Sequence, residues 1–173
     1  MFKVALIGPE ASGKTTLAKE LAAQFHGTYV PEYAREYIER KGSLDVTFDE
    51  LCTLARHQIE ELKHLSGEAG LSASAANGLC SFSERSERSV IFFDTELVVI
   101  KVWFDYAFHC VPEWLNDAIS TYPMDMYLLT YPDLPWHQDG ARYNGSDAMR
   151  LELFDRYEQE IQSLGIPYFV IRH

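Results

Sequence analysis

The stretch Gly8-Pro9-Glu10-Ala11-Ser12-Gly13-Lys14-Thr15 carries the spacing G-x-x-x-x-G-K-T, a pattern in which each residue type has a role on phosphates. Gly8 and Gly13 permit backbone angles that a side chain forbids. The loop N–H groups can then converge on an anion at the positive end of a helix. Lys14 is placed to reach the β- and γ-phosphates of a nucleoside triphosphate, and the Thr15 hydroxyl to hold Mg²⁺. Gly8, Pro9, Glu10, Ala11, Ser12, Gly13, Lys14, Thr15 and Thr16 are therefore the candidate ATP-binding residues, with Lys14 also catalytic. The alternative is a chance glycine turn, and the full set of Gly, Gly, Lys and Thr weighs against it. The loop implies a triphosphate but leaves kinase, GTPase, motor and ATPase open.

A second signal is Val90-Ile91-Phe92-Phe93-Asp94, an apolar strand ending in a carboxylate, the pattern that serves the Mg²⁺ shell of P-loop enzymes. Asp94 is a candidate metal ligand and catalytic residue, although Asp94 or Thr95 could also cap the helix that follows. Glu32 and Arg35 come directly after a short strand. An acid there could take the proton from an attacking hydroxyl; the simpler role is a negative charge at a helix N-terminus. A late loop holds Asp133, Trp136, Asp139 and Arg142, with Arg150 on the next helix. An arginine on a closing flap can neutralise charge during phosphoryl transfer, and closure excludes water that would hydrolyse the triphosphate. Arg142 is the first candidate. Arg150 is the second, since it could form only an ion pair on a helix face.

These groups need a scaffold that brings them to one place. Val4 to Ile7 reads as a buried strand, and Leu17, Leu21 and Phe25 mark an amphipathic helix from Lys14 onward. Thr28 to Val30 is a short strand, Pro31 punctuates it, and a charged helix runs to Gly42. Thr47 with Glu50 matches a capping box, and Val46 with Leu51 a hydrophobic staple, for a helix from Phe48 to about His64. Residues 66–89 are rich in Ser, Ala, Gly and Glu without apolar period, as expected of a mobile insertion. After the Asp94 strand come a helix carrying Trp103, Phe104 and Tyr106, a helix opened by Pro112, and a strand in MDMYLLT. The Pro- and Gly-punctuated loop at residues 131–147 reads as a lid. A final helix shows Leu153, Tyr157, Ile161 and Leu164 on one face, and PYFVIR is the last strand. Strands alternating with helices imply an α/β fold with a parallel sheet covered on both sides. Sites in such sheets lie at the carboxyl ends of the strands, where the Gly8 loop, Glu32, Asp94 and the late loop all fall.

The chain of 173 residues suits one domain, 1–173. A formal net charge of -11 argues against a nucleic-acid partner. Cys52, Cys80 and Cys110 form no C-x-x-C pair, as expected of free thiols in a reducing cytoplasm. No apolar run approaches membrane-spanning length, and the N-terminal residues are too short for a secretory segment, so neither membrane nor export is expected. A GTPase should show an N-K-x-D base-reading motif, and none occurs. Motors and AAA-type ATPases usually need more chain than this.

The motifs together resemble the nicotinamide riboside kinase (ribosylnicotinamide kinase) domain of NadR-type proteins. The likeness rests on GPEASGKTTLAKELA, VPEYAREYIE, FFDTELVVIKVW, YLLTYPDLPWHQDGAR and the R-x-x-L-F-x-x-Y shape at Arg150 to Tyr157, and it spans nearly the whole chain. It implies a P-loop kinase fold, a three-layer sandwich with strand order 2-3-1-4-5 and a lid, in the manner of nucleoside and nucleotide kinases. The implied reaction converts ATP and nicotinamide riboside to ADP and nicotinamide mononucleotide with Mg²⁺; neither nucleic acid nor membrane is expected as a partner, and the oligomer is left open. Asp94 would lie at the metal or the ribose, Glu32 and Arg35 would face the nucleoside, and Asp139 and Arg142 would belong to the lid. The DNA-binding and adenylyltransferase functions of multidomain members are not expected here. The riboside's ring is a cation, and Trp103, Phe104, Tyr106 and Trp136 are the aromatics available to stack on it; Trp103 and Phe104 could equally be core residues of their helix. The other readings are a kinase of another nucleoside or nucleotide and a regulatory ATP-binding module without catalysis.

Overall fold

The computed structural model describes residues 1–43, 45–67, 89–136 and 146–173. Among these residues five strands and six helices follow in the order β1 (Phe2–Ile7), α1 (Lys14–Gln24), β2 (Thr28–Val30), α2 (Tyr33–Lys41), α3 (Phe48–Leu65), β3 (Val90–Asp94), α4 (Leu97–Phe108), α5 (Glu113–Thr121), β4 (Met126–Thr130), α6 (Asp147–Leu164) and β5 (Tyr168–Ile171). The strands form a single sheet in the order β2-β3-β1-β4-β5, with every pairing parallel. This is the order that the resemblance implies.

Alternation along β1 sets the layers. Val4 and Leu6 pack with Phe92, Ala18 and Ala22 on the α1 side. Ala5 and Ile7 face the larger core, made with α3, α4, α5 and α6. A side-chain period of two forces this division, so a central parallel strand must be apolar at every position. Phe2 and Lys3, ahead of the apolar run, also pair, with Val90 and Ile91.

Local signals fix where the helices begin and end. Thr47 Oγ1 accepts from the Glu50 N–H at 3.3 Å and Glu50 Oε2 from the Thr47 N–H at 2.8 Å, completing the expected box at the start of α3. The same carboxylate takes hydrogen bonds from Lys41 Nζ (2.7 Å) and the Tyr37 hydroxyl (2.9 Å), which pins α2 to α3. Gly42 (φ 69) and Gly165 (φ 66) close α2 and α6 in the left-handed conformation. The cap of α4 differs from expectation. Neither Asp94 nor Thr95 serves it; Glu96 accepts from the Val98 N–H at 2.9 Å. Thr95 has φ 72, a turn that leaves only two residues between the end of β3 and the start of α4. Burial pushes the Glu96 carboxyl up to about 8, against the pull of the backbone N–H groups it caps.

The proposed insertion at residues 66–89 lies, but for its ends, outside the described residues, and so do Cys80, Asp139, Arg142 and most of the 131–147 loop. Cys52 and Cys110 are free thiols. Among the described residues no helix is long and apolar enough to cross a membrane.

Candidate active site

Parallel pairing aligns the carboxyl ends of β1, β3 and β4, because Leu6 sits opposite Asp94 and Leu128. From β1 the chain enters the glycine loop and leaves it as α1. Gly8 (φ 144) passes so close to β4 that a Cβ would lie 2.6 Å from the Thr130 carbonyl oxygen. Ala11 takes φ 54 and Gly13 φ 82, left-handed angles that turn successive N–H groups inward, at a strain cost for a residue with a Cβ. Gly13 caps α1 without a side-chain hydrogen bond, and the first turn of α1 holds no acid. The helix N-terminus therefore offers its N–H groups and Lys14 to an anion.

One predicted phosphate ligand behaves differently. The Ser12 side chain is buried, with Oγ 2.6 Å from the Pro9 carbonyl oxygen and 2.6 Å from Thr130 Oγ1. Thr130 Oγ1 in turn lies 3.2 Å from the Ile7 carbonyl oxygen. The two hydroxyls tie the loop to β1 and β4, so Ser12 can offer phosphate its backbone and not its hydroxyl. Lys14 Nζ donates to the Pro9 carbonyl at 2.7 Å, curled over the loop it is expected to serve.

Arg150 has a clear place. Its residue is 2% exposed. Nε donates to the Glu10 carbonyl (3.3 Å), and Nη2 to the carbonyls of Ala11 (3.3 Å) and Leu134 (3.0 Å). Its ion pair with Asp147 (3.4 Å) reaches a carboxylate that is 89% exposed, so it is the lesser contact. Arg150 is thus a brace that fixes the outer side of the loop, neither a surface ion pair nor a group facing the loop interior.

Glu10 through Thr16, with Glu32 and Arg35, line a cavity of about 150 Å³ over the loop. Glu32 is the N-cap residue of α2 but makes no capping hydrogen bond with its side chain. Desolvation pushes its carboxyl up to about 7, Lys14 pulls it down, and Asp94 pushes it further up. Asp94 is buried, and its Oδ2 accepts from the Tyr29 hydroxyl at 3.1 Å. Its Oδ1 is enclosed and has no hydrogen-bond partner. Burial and the Asp94 charge together raise Tyr29 above its ordinary range, so the phenol stays a donor. Tyr29 is a contributor that the sequence reading missed; a tyrosine two residues ahead of Pro31 on a short strand carries no local signature.

A second cavity, of about 390 Å³, adjoins the first and shares Glu10 with it. Tyr33 and Ile38 of α2, Leu51, Leu54 and Gln58 of α3, and Val99, Trp103 and Tyr106 of α4 are among its walls. Trp103 meets Tyr106 edge-on at 5.8 Å and hydrogen-bonds the buried Tyr157 hydroxyl. Tyr33 stacks on His57 at 3.5 Å, nearly parallel. Of the four aromatics available to stack on a ligand, Trp103 and Tyr106 line the space. Phe104 does not: it is fully buried and packs edge-on against Phe48 at 5.0 Å. Trp136, half-buried after β4, belongs to the lining of neither cavity. Tyr33 and Gln58 were missed. The spacing of Leu51, Leu54 and Gln58 (i, i+3, i+7) was the available sign that Gln58 shares a buried stripe.

The sequence of this chain is 27% identical to the trifunctional NAD biosynthesis/regulator protein NadR of Escherichia coli (strain K12), over 95% of this chain and 37% of that protein. It is 26% identical to the protein of the same description from Salmonella typhimurium, over 85% of this chain and 32% of that one. The chain thus spans about a third of the length of these curated relatives. Among solved structures it superposes on a NadR protein in complex with NR (TM-score 0.70, 18% identity, 98% of this chain and 43% of that one). It also matches a thymidylate kinase from Ehrlichia chaffeensis (TM-score 0.60, 12% identity, 98% and 86%). These likenesses carry the fold, a P-loop kinase-like sandwich with helices on both faces. The family model that matches is described as an AAA domain. Because that match runs over residues 3–173, the chain belongs to the AAA_28 family of P-loop AAA domains.

Proposed function

We propose that this chain is an ATP-dependent kinase that phosphorylates nicotinamide riboside to nicotinamide mononucleotide, a step of NAD biosynthesis. The observation that carries the reading is the shared wall at Glu10: a phosphate cradle opens directly onto an apolar, aromatic cavity with room for a nucleoside. The relatives support it, being NAD biosynthesis/regulator proteins, with NadR structures in complex with NR and with NAD and AMP-PNP.

In this reading the loop N–H groups and Lys14 hold the triphosphate and neutralise charge that grows on its oxygens. Glu32, at about 7, is matched to a neutral working pH. Its carboxylate takes the proton of the riboside 5′-hydroxyl as that oxygen bonds to the γ-phosphorus and the bond to the ADP oxygen breaks. Arg35, whose Nε pairs with Glu39 at 3.3 Å on the rim, steers anions toward the cradle. Trp103 and Tyr106 receive the cationic ring, with Glu10 and Glu32 supplying negative charge nearby. Arg142, Asp139 and Trp136 are proposed to close over the complex as parts of a lid.

Mg²⁺ fits the donors present. The enclosed, unpartnered Oδ1 of Asp94 and the Thr15 hydroxyl are hard oxygen ligands, and these two would hold it. Among the described residues no cluster of three or more His, Cys, Asp or Glu could hold a metal unaided, as suits an ion that takes its remaining ligands from phosphates and water. When bound it neutralises charge between the β- and γ-phosphoryl groups. Asp94→Asn should raise the Mg²⁺ concentration needed for half-maximal turnover. Lower activity at unchanged Mg²⁺ dependence places Asp94 on the ribose instead.

The deciding experiment measures ADP release against a panel of nucleosides and nucleotides, with the product identified by mass. Nicotinamide mononucleotide as the fastest-formed product bears the reading out. A different phosphorylated product makes this a kinase of another acceptor, and acceptor-independent, slow ADP release makes it a regulatory module.

A further inference from the structure

Among the described residues, the wall of the apolar cavity carries an enclosed polar side-chain atom without a hydrogen-bond partner. Gln58 lies on the same face of α3 as Leu51 and Leu54, and all three line the space. Its Oε1 is enclosed, with no hydrogen-bond partner. An enclosed amide oxygen left unpaired is costly. Nothing on α3 requires a polar residue here, since Leu54 and Leu62, four residues to either side, are buried apolar side chains. A leucine would fill the site without that cost. The arrangement makes sense when a ligand supplies the missing donor.

The direction of the helices shows what part of a ligand Gln58 meets. Phe48, at the start of α3, packs on Phe104 and Phe108 near the end of α4, so the two helices run antiparallel. Ten residues further along α3, about 15 Å at helical rise, Gln58 stands toward the Thr95 and Val99 end of α4. Leu54, Val99, Ile100 and Trp103 line the same cavity, surroundings for a flat ring. Ribose hydroxyls have other acceptors close at hand, in Glu10, Glu32 and Asp94 by the cradle.

We infer that Gln58 is a specificity-determining residue whose side-chain oxygen accepts a hydrogen bond from an N–H donor on the base of the acceptor nucleoside, selecting an amide over ring substituents that lack a donor. The inference rests on the acceptor cavity of the proposed kinase. The oxygen is unpaired before binding, so an amide gains a hydrogen bond there and an analogue without a donor gains none. Nicotinamide riboside bears a carboxamide N–H₂. Its 3-acetylpyridine counterpart keeps the cation, the shape and the carbonyl, and loses only the donor.

The test measures Kd for both ribosides by calorimetry, and kcat/KM by ADP release, in the wild-type chain, Gln58→Leu and Gln58→Glu. The wild type should favour the amide by about tenfold or more, the range expected when a buried acceptor loses its donor. Gln58→Leu should shrink that margin to within about twofold by weakening the amide, with acetylpyridine binding unchanged. Gln58→Glu, which keeps an acceptor, should keep most of the margin. A structural role alone would lower Tm and weaken both ribosides equally, and that result overturns the inference. So does a margin that survives in Gln58→Leu, or one absent from the wild type. A dependence of the Gln58→Leu effect on the 2′- or 3′-hydroxyl, read with deoxyribosides, moves the contact to the sugar and overturns the assignment to the base. If neither pyridine riboside binds while ATP does, the acceptor reading fails. Adenosine against purine riboside then poses the same question for an amino donor, and equal Kd values there overturn the role of Gln58.

Discussion

The phosphate cradle and the apolar cavity share Glu10 and are built by opposite means. The cradle is backbone: consecutive residues turn their N–H groups inward, and its side chains either brace it from behind, as Ser12 and Arg150 do, or reach across it, as Lys14 does. The cavity is side chains, contributed mainly by α2, α3 and α4, from Tyr33 to Phe108. A backbone site binds what all triphosphates have in common. A side-chain site can discriminate, because each wall residue can change without disturbing a loop. Substitutions in the cradle should therefore act on turnover whatever the acceptor, and those in the cavity on the choice of acceptor.

Lys14→Ala should break the cradle most severely. Turnover should fall by about 10²–10³-fold with the fold retained, the scale of losing one charge-stabilising donor, while nucleoside Kd by calorimetry stays near the wild-type value. Near-normal turnover would remove the loop from the mechanism.

Glu32 sits between the two regions, and Glu32→Gln should cost about a hundredfold in kcat. Wild-type kcat/KM should rise with pH through about 7, where the carboxyl loses its proton, and the variant should lose that limb. Stability moves the other way. The folded carboxyl titrates near 7 against 4.5 ordinarily, so the folded state holds the proton more tightly and stability falls as pH rises across that window. Glutamine removes the penalty. Thermal melts should show the variant more stable than wild type at pH 8 and equal to it near pH 4.

The cavity should respond to ring charge. Trp103→Ala should weaken nicotinamide riboside by about thirtyfold, the scale of a desolvated cation–π contact, and its neutral dihydro form much less. The wild type should prefer the cation by about tenfold or more in kcat/KM over the dihydro form and uridine. Equal use of all three would leave the cavity reading shape alone.

The smallest effect falls on the brace. Arg150→Lys can reach one loop carbonyl where the guanidinium reaches several. ATP Kd should rise about five- to tenfold, with Tm slightly lower and riboside Kd unchanged. A matching loss of riboside binding would show that the two regions are mechanically coupled through Glu10.

The difference between the regions also explains what was legible beforehand. The Gly8 loop, the Asp94 strand and the capping box at Thr47 are contiguous patterns, and the structure shows each of them as its local chemistry requires. Trp103 and Phe104 are adjacent on one helix, and nothing in their spacing says which faces a cavity. The structure separates them, with Trp103 in the lining and Phe104 in the core. Arg150 reads as a second candidate for neutralising transferred charge or as a helix-face ion pair; its carbonyl partners near residues 10 and 134, which make it a brace, are remote in sequence.

By itself the sequence determined the alternation of strands and helices, the phosphate loop and the carboxylate beside it, because periodicity, glycine geometry and capping act over a few residues. Only the tertiary structure decided that Glu96 and not Asp94 caps α4, that the Ser12 hydroxyl turns inward, that Glu32 is desolvated toward 7 between Lys14 and Asp94, and that Gln58 places an unpaired oxygen in the wall of the apolar cavity. Burial, and the charges and partners around a group, are properties of its neighbours in space, and a parallel sheet with helical crossovers brings those neighbours from distant parts of the chain.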